Sequence, residues 1–427
     1  MNHFERRDLV TGEAGHGSLY CEGVPLERIA REVGTPTYVY SKATVTRHVR
    51  VWLDAWGGLD HQMCFAVKAC SNLAILALMA KAGAGFDIVS EGELARVLRA
   101  GGRADKVVFS GVGKTRHELL AALEAGVGCI NVESADELVM VDEVARTSGR
   151  RAPVSLRVNP DVDAKTHPYI ATGLMRSKFG IAWAEAPSLY EAARALANVD
   201  VIGVDCHIGS QLESEKPFVE ALDRVLDLVA DLAARGFGIR HIDIGGGLGI
   251  TYRDETPPSP VEYVNAVRAR LEARGMEHLR VLTEPGRVIV GNAGCLLSRV
   301  VLTKHNGPTR FVVLDAGMND LIRPALYQAW HAIEPVAAPR DEVELVDVVG
   351  PVCESGDAFA KDRSLPRLVA EDLVILRSAG AYGMVMASNY NSRPRPAEVL
   401  VDGDRFHIVR ARETLDDLVR GEVIPEV

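Results

Sequence analysis

Short apolar runs rich in β-branched residues alternate with longer amphipathic stretches between about residue 37 and residue 290. The apolar runs predict eight strands, which are Met63–Val67, Phe86–Val89, Val107–Phe109, Cys129–Val132, Val154–Val158, Val201–Cys206, His241–Ile244 and Val281–Thr283. The stretches between them predict helices, among them Leu73–Lys81, Glu91–Ala100, Arg116–Ala125, Ala135–Ala145, Phe218–Ala234 and Val261–Ala273.

Strands that alternate with helices pair in parallel through right-handed crossovers. Eight such units in about 250 residues are the number and length typical of an α/β barrel, the (β/α)8 barrel of the TIM type. An open, doubly wound sheet is the alternative that this pattern leaves open.

The rhythm changes after about residue 290, where short alternating strands follow one another without long helices. The predicted strands are Leu296–Leu302, Arg310–Leu314, Glu342–Val349, Asp372–Arg377, Glu398–Val401 and Arg405–Val409. We therefore expect a barrel over residues 39–290 and a mostly antiparallel C-terminal β domain over residues 291–427. Residues 1–38 fit neither pattern, and we expect them to pack with the β domain.

Composition and charge exclude several classes of protein. The net charge is −10, from 48 basic and 58 acidic residues, which argues against non-specific nucleic-acid binding and against anionic membranes. The longest apolar run ends at Lys81 and is too short to span a membrane, and the first ten residues lack the apolar stretch of a signal peptide.

The seven cysteines are odd in number, and no close pair has the spacing of metal ligands. This usage predicts a cytoplasmic location and no metal. Each cysteine taken alone is most simply a small buried hydrophobe.

Residues suited to catalysis or ligand binding lie at the C-terminal ends of the predicted barrel strands. The active sites of such barrels lie at this end. These residues are Lys68, Asp87, His207–Ser210, Gly245–Gly247 and Glu284–Arg287. Each of these residues, taken alone, has a purely structural explanation: a surface lysine, a core histidine, a structural turn at the glycines, or an acid at the start of a helix. The glycine triplet after the seventh strand favours phosphate binding through exposed backbone N–H groups.

Together these groups indicate one chemistry. A desolvated lysine amine, a phosphate cradle, a histidine that stacks on a ring and a carboxylate for a pyridinium nitrogen are the parts of a pyridoxal phosphate site. A metal centre and a Ser-His-Asp hydrolase are less favoured, because neither the ligand spacing nor the nucleophile elbow is present.

The chain resembles the diaminopimelate decarboxylases, barrel-type pyridoxal phosphate enzymes of the alanine-racemase-like fold group. Five segments carry the resemblance to the fold group, namely Phe65–Ala69, Gly85–Ser90, His207–Gln211, Asp243–Gly247 and Glu284–Arg287. Three more narrow it to this family, namely Asp315–Pro324, Gly350–Asp357 and Ser388–Pro394. The resemblance implies decarboxylation of meso-2,6-diaminoheptanedioate to L-lysine and CO2, the last step of lysine biosynthesis.

The resemblance also implies roles for individual residues. Lys68 would bind the cofactor covalently, His207 would stack on its ring and Glu284 would pair with its nitrogen. The cofactor would further contact Asp87, Ser210, Gly245, Gly246, Gly247, Gly286, Arg287 and Tyr382. Substrate would contact Arg287, Arg323, Tyr327, Glu354 and Tyr382, and Cys353 would protonate the carbanion left by CO2.

In such enzymes the segments around Cys353 and Tyr382 come from the partner subunit, so the resemblance implies a homodimer with a shared active site. One departure is Cys70, two residues beyond the cofactor lysine, where relatives usually carry asparagine. A racemase or another decarboxylase of the same fold group is the nearest alternative, followed by a non-catalytic pyridoxal-binding homologue.

Overall fold

The computed structural model of the protein describes residues 3–8, 15, 17–162 and 178–426. By its contacts the chain divides into two compact units. The barrel unit comprises His48–Thr251 and Glu255–Val288, and the β unit comprises Met1–Arg47, Tyr252–Asp254 and Ile289–Val427. The domain boundaries expected at residues 38 and 290 stay a prediction.

The chain begins with small elements of the β unit and with a helix whose residues from His48 on belong to the barrel unit. In order they are β1 Phe4–Arg7, β2 Ser18–Cys21, β3 Val24–Pro25, α1 Leu26–Val33, β4 Thr37–Ser41 and α2 Lys42–Ala55. Strands β1, β2 and β3 form an antiparallel sheet. Helix α1 buries Leu26, Ile29 and Ala30, which have the i, i+3, i+4 spacing of one helix face. These side chains join a cluster that includes Val39 and Ile375.

The barrel unit follows with alternating strands and helices, and the last helix continues past the end of this unit at Val288. They are β5 His61–Ala66, α3 Leu73–Lys81, β6 Gly85–Ile88, α4 Glu91–Arg99, β7 Val107–Phe109, α5 Arg116–Ala125, β8 Cys129–Val132, α6 Ala135–Ser148, β9 Ala152–Asn159, β10 Ile181–Ala182, α7 Ala186–Ala195, β11 Val199–Asp205, α8 Lys216–Ala234, β12 His241–Asp243, α9 Pro260–Arg274, β13 Arg280–Thr283 and α10 Arg287–Val290.

Eight of these strands close into a parallel ring in the order β5, β6, β7, β8, β9, β11, β12, β13. The ring closes where β13 pairs with β5, with Val281 opposite His61 and Thr283 opposite Met63. The two-residue strand β10 adds to β9 outside the ring. This closure confirms the predicted (β/α)8 barrel and excludes the open doubly wound sheet.

Local sequence signals fix where the barrel helices begin and end. Helix α5 starts at a capping box in which Thr115 and Glu118 satisfy each other's backbone N–H groups. It ends at Gly126, whose φ of 76° is the left-handed conformation that glycine adopts without strain. These two signals set the ends of α5 between strands β7 and β8.

The remainder of the β unit is mostly extended. Its elements are β14 Gly294–Asn306, β15 Thr309–Leu314, α11 Arg323–Tyr327, β16 Ile333–Pro335, β17 Val343–Val349, β18 Ala358–Pro366, β19 Leu373–Leu376, β20 Ala397–Asp402, β21 Arg405–Arg410 and α12 Leu415–Leu418.

These strands share a sheet in the order β18, β17, β15, β14, β4, β20, β21, and β19 joins β14 to β16. The pairs β15–β17 and β4–β20 are parallel and the other pairs are antiparallel. The predicted mostly antiparallel β domain is therefore confirmed, with N-terminal strand β4 paired between β14 and β20. In the described part of the chain, no helix combines the length and the apolar character needed to cross a membrane.

Candidate active site

The rim formed by the C-terminal ends of the barrel strands carries the charged groups that the sequence singled out. Lys68 lies in a single 3-10 turn directly after β5, and Asp87 lies on β6. The Nζ atom of Lys68 lies 2.5 Å from Oδ2 of Asp87. The carboxylate is fully buried, whereas about a third of the lysine side chain is exposed, so the amine faces the open end of the barrel.

Three buried carboxyl groups meet on the same rim: Asp205 at the end of β11, Asp243 at the end of β12 and Glu284 after β13. Each offers an oxygen within 4.8 Å of the others. Burial, with the negative charges of Asp87 and Asp243, raises the pKa of Glu284 well above its usual range. Burial raises the pKa of Asp243 to about 7. Carboxyl groups so placed favour the protonated form, and a cationic group beside them stabilises the carboxylate form instead.

Two of these acids, Asp205 and Asp243, were not predicted as site residues. The same is true of Arg157, which is buried on β9 and balances the acids. One guanidinium nitrogen of Arg157 lies 2.8 Å from Oε1 of Glu133, and its Nε lies 3.9 Å from Oδ2 of Asp205. The signal that could have revealed them is a charge inside or directly ending an otherwise apolar strand, since an unpaired charge there is costly.

His207 follows β11 and lies against the glycine loop that follows β12. The backbone N–H of Gly246 donates to Nδ1 of His207 at 3.2 Å. Burial, together with the positive charges of Arg157 and Lys68, lowers the pKa of His207 well below its usual range. The imidazole is therefore neutral, and a neutral flat ring suits contact with another ring better than a desolvated imidazolium would.

The glycine loop is shaped by residues that tolerate no side chain. Gly245 and Gly247 have φ values of 67° and 105°, which favour glycine. A Cβ on Gly246 would lie 2.1 Å from the carbonyl oxygen of Glu284. The loop is thus a narrow backbone cradle beside the rim, of the kind whose N–H groups bind phosphate.

Ser210 and Arg287 meet at the side of this cradle. Arg287 donates to the Ser210 hydroxyl at 2.9 Å. Gly286 packs closely on the turn of Lys68, because a Cβ there would lie 2.9 Å from the Cβ of Ala69. The structure therefore brings the predicted barrel residues together on one rim.

The residues present fit pyridoxal phosphate. An amine, a neutral ring, a buried acid and a backbone cradle stand on one rim, and each matches a different part of that cofactor. Among the described residues, Oδ1 of Asp87 is buried without a hydrogen-bond partner. Such an orphaned acceptor is costly unless a donor or a cation approaches it, which a protonated ring provides.

The five remaining predicted residues lie in the β unit. Arg323 is the first residue of α11 and is buried, and Tyr327 is the last residue of that helix. Cys353 and Glu354 are exposed in the loop before β18. Tyr382 follows β19 and has a φ of 56°.

Three segments indicated the diaminopimelate decarboxylase family in the sequence, and they lie together in the β unit. They are Asp315–Pro324, Gly350–Asp357 and Ser388–Pro394. The carboxylate of Asp357 accepts from the backbone N–H groups of Met318 and Val352, at 2.6 and 2.7 Å. The backbone N–H of Cys353 donates to Oδ1 of Asn391 at 2.8 Å. These bonds hold the Cys353 loop in place, because each end of it is tied to a neighbouring segment.

Comparison with known proteins agrees with this chemistry. The family model described as pyridoxal-dependent decarboxylase, pyridoxal binding domain, matches residues 42–291. A diaminopimelate decarboxylase of Pseudomonas aeruginosa is 58% identical over 423 residues, which are 99% of this chain and 99% of the relative.

Solved structures resemble this chain over at least nine tenths of its length. The crystal structure of diaminopimelate decarboxylase from Helicobacter pylori complexed with L-lysine has a TM-score of 0.89 and 41% identity, and the match covers 92% of this chain and 98% of that one. The diaminopimelate decarboxylase from M. jannaschii in co-complex with L-lysine has a TM-score of 0.93 and 36% identity, with coverage of 100% and 99%.

The chain is therefore a pyridoxal-dependent decarboxylase by its barrel, its site and its family match. Identity over nearly the full length of its relatives then shows the narrower group: the chain belongs to the diaminopimelate decarboxylase family. The resemblance and the pyridoxal phosphate requirement inferred from the sequence are both confirmed.

Proposed function

We propose that this protein decarboxylates meso-2,6-diaminoheptanedioate and releases L-lysine and CO2, as the last step of lysine biosynthesis. The observation that carries the proposal is the amine of Lys68, held 2.5 Å from a buried aspartate on a rim that also bears a glycine cradle and the buried Glu284. Relatives named diaminopimelate decarboxylase at 58% and 57% identity support this substrate over other amino acids.

The barrel residues would bind and orient the cofactor. Pyridoxal phosphate, when bound, draws the electron pair of a broken Cα bond into its ring. Lys68 would hold it through the amine, and the backbone of the Gly245–Gly247 loop would bind its phosphate with Ser210 and Gly286. His207 would cover the face of the ring, and Glu284, with Asp87 close by, would keep the ring nitrogen protonated.

The substrate carries two carboxylates and two amines, so it needs more charged partners than a diamine with one carboxylate. Arg287 and Arg323 are assigned to carboxylates, since a guanidinium fits a carboxylate with two parallel hydrogen bonds. Tyr327 and Tyr382 would complete this contact, and Glu354 would pair with the distal ammonium. Holding the bond to the departing carboxylate perpendicular to the cofactor ring would select loss of CO2 over loss of a proton.

Cys353 would then deliver a proton to Cα after CO2 has left. Its exposed position supports a homodimer in which the loop of Cys353 and Glu354, together with Tyr382, completes the site of the partner. A proton donor works in a site closed to water, and a second subunit would provide that closure. The seven free cysteines support a cytoplasmic location.

A panel of substrates tests the proposal. Release of CO2 is measured from meso-2,6-diaminoheptanedioate, ornithine, lysine and arginine with the purified holoenzyme. We expect release from the first substrate alone, and loss of both release and the cofactor absorbance band in Lys68→Ala. Preference for ornithine, lysine or arginine would show a different decarboxylase, racemisation without CO2 would show a racemase, and cofactor binding without turnover would show a non-catalytic homologue.

A further inference from the structure

Behind Arg323 lies a buried histidine whose two ring nitrogens are both engaged. His331 is 1% exposed. Its Nδ1 lies 2.7 Å from the carbonyl oxygen of Arg377, and its Nε2 lies 2.8 Å from a terminal nitrogen of Arg323. The ring therefore spans from a fixed backbone group to the guanidinium.

These two contacts assign the tautomer. A carbonyl oxygen can only accept, so Nδ1 must carry the proton that it donates to Arg377. A guanidinium can only donate, so Nε2 must present its lone pair to Arg323. The imidazole is thus a neutral acceptor, because a second proton would point an N–H at an N–H.

An aromatic wall holds the guanidinium on another side. The Arg323 guanidinium carbon lies 4.6 Å from the centre of the Tyr252 ring, and the rings of Tyr252 and His331 meet edge to face at 5.6 Å. Tyr252 belongs to the short Tyr252–Asp254 segment of the β unit. The arginine is therefore fixed by a ring face and by one directional hydrogen bond.

We propose that His331 is a positioning residue that orients the Arg323 guanidinium toward the substrate carboxylate, a role that rests on the proposed function of Arg323. A neutral acceptor is suited to this task. An aspartate or glutamate in its place would pair with the guanidinium and cancel the charge that the substrate must meet. His331 accepts a hydrogen bond from one N–H of Arg323 and, being uncharged, adds no negative charge beside the guanidinium.

Three substitutions at position 331 separate this role from simple packing, measured as kcat and KM of the holoenzyme for meso-2,6-diaminoheptanedioate. His331→Phe keeps a flat ring and removes the acceptor, and we expect KM to rise about tenfold with kcat changed far less. His331→Gln places an amide oxygen near Nε2, and we expect KM within about threefold of wild type. His331→Asn keeps a donor for Arg377 but not the acceptor, and it should behave like His331→Phe, so it carries the test if the phenylalanine variant fails to fold.

A double-mutant cycle with Arg323→Gln shows whether the effect passes through the arginine. We expect Arg323→Gln to raise KM strongly and His331→Phe to add less than about twofold in that background. If the two substitutions raised KM by factors that simply multiply, the proposal would be overturned. It would also be overturned if His331→Gln raised KM as much as His331→Phe. If Arg323→Gln alone leaves KM unchanged, the assigned function of Arg323 fails instead.

His407 is an exposed histidine of β21 and provides the matched control. His407→Phe should leave kcat and KM unchanged.

Discussion

Lys68 and Asp87 form an unequal ion pair: their charged atoms lie 2.5 Å apart, yet only the carboxylate is fully buried. The lysine reaches Asp87 from the turn after β5, while Asp87 sits inside the neighbouring strand β6. The pair therefore places the Lys68 nitrogen at the open end of the barrel and anchors it to the interior. Asp87 depends on that amine, since a buried carboxylate without a cation is unfavourable.

Stability of the cofactor-free protein should reveal this dependence. Lys68→Met leaves Asp87 buried beside an uncharged side chain, and we expect the free energy of unfolding to fall by about 2 kcal/mol, less than for a fully buried pair because the lysine is partly exposed. Adding Asp87→Asn removes the stranded charge and should restore most of the loss. Urea unfolding followed by tryptophan fluorescence measures both, since Trp52 and Trp56 are buried in the barrel unit. A double variant no more stable than Lys68→Met would show that the charge of Asp87 is not the cause.

The sequence predicted Lys68, Asp87 and Glu284 because the strand and helix periods fix which end of each strand reaches the rim. It did not predict Arg157 or Asp205. These two residues become neighbours only when β9 pairs with β11, and helix α7 separates the two strands along the chain. A lone charge in an apolar strand signals a buried partner without identifying it. His331 was missed for the same reason: its partners, Arg323 and the Arg377 carbonyl, come together only through the tertiary fold.

The β unit shows a similar limit. The predicted strands Arg310–Leu314 and Glu342–Val349 were found close to their expected bounds. Strand β18 was not predicted, because exposed charged residues interrupt it and hide the alternation of a half-buried strand. Pairing of β4 with β20 joins residues that are 360 positions apart, such as Thr37 and Ala397, which no local pattern indicates.

The raised pKa of Asp243 predicts a pH dependence of the cofactor-free protein. Its folded pKa, about 7 because of burial, lies above that of an unfolded aspartate, so the folded state favours the protonated form. The contribution of Asp243 to stability is therefore present at acid pH and lost as pH rises from about 4 to about 7.

Asp243→Asn mimics the protonated acid and can still accept the 2.9 Å bond from the Gly245 N–H. We expect the variant to be more stable than wild type by about 4 kcal/mol at pH 8 and nearly equal to it at about pH 3.5, below the pKa of an unfolded aspartate. Asp404→Asn, whose side chain is 91% exposed, is the control and should show no such difference. Equal stability of Asp243→Asn and wild type at both pH values would contradict a buried, proton-holding Asp243.

Gly246 predicts a sharp loss of phosphate binding. In Gly246→Ala the new methyl group would have to lie 2.1 Å from the Glu284 carbonyl oxygen, so the loop must shift away from β13. We expect cofactor affinity to fall at least about tenfold, because the loop N–H groups would no longer point at the phosphate. Fluorescence titration of the cofactor-free protein with pyridoxal phosphate measures this. Gly238→Ala, where a Cβ meets nothing within 4 Å, should bind normally.

A shared active site predicts that two inactive chains can restore one another. Lys68→Ala and Cys353→Ala each remove one group, and we expect each protein to be inactive by itself. If Cys353 serves the barrel of the partner, a mixed dimer holds one site with both groups missing and one site intact. Random pairing makes half of the dimers mixed, so co-expression should recover about one quarter of wild-type activity.

The matched control pairs Cys353→Ala with Glu354→Gln, two changes in the same loop. Every site in that mixed dimer then lacks one of the two groups, so we expect no recovery beyond the residual activity of the single variants. Light scattering after size-exclusion chromatography checks that each preparation is dimeric. If neither mixture recovers activity, Cys353 acts in the site of its own chain. A wild-type protein that is monomeric and fully active would show that the partner subunit takes no part in the mechanism.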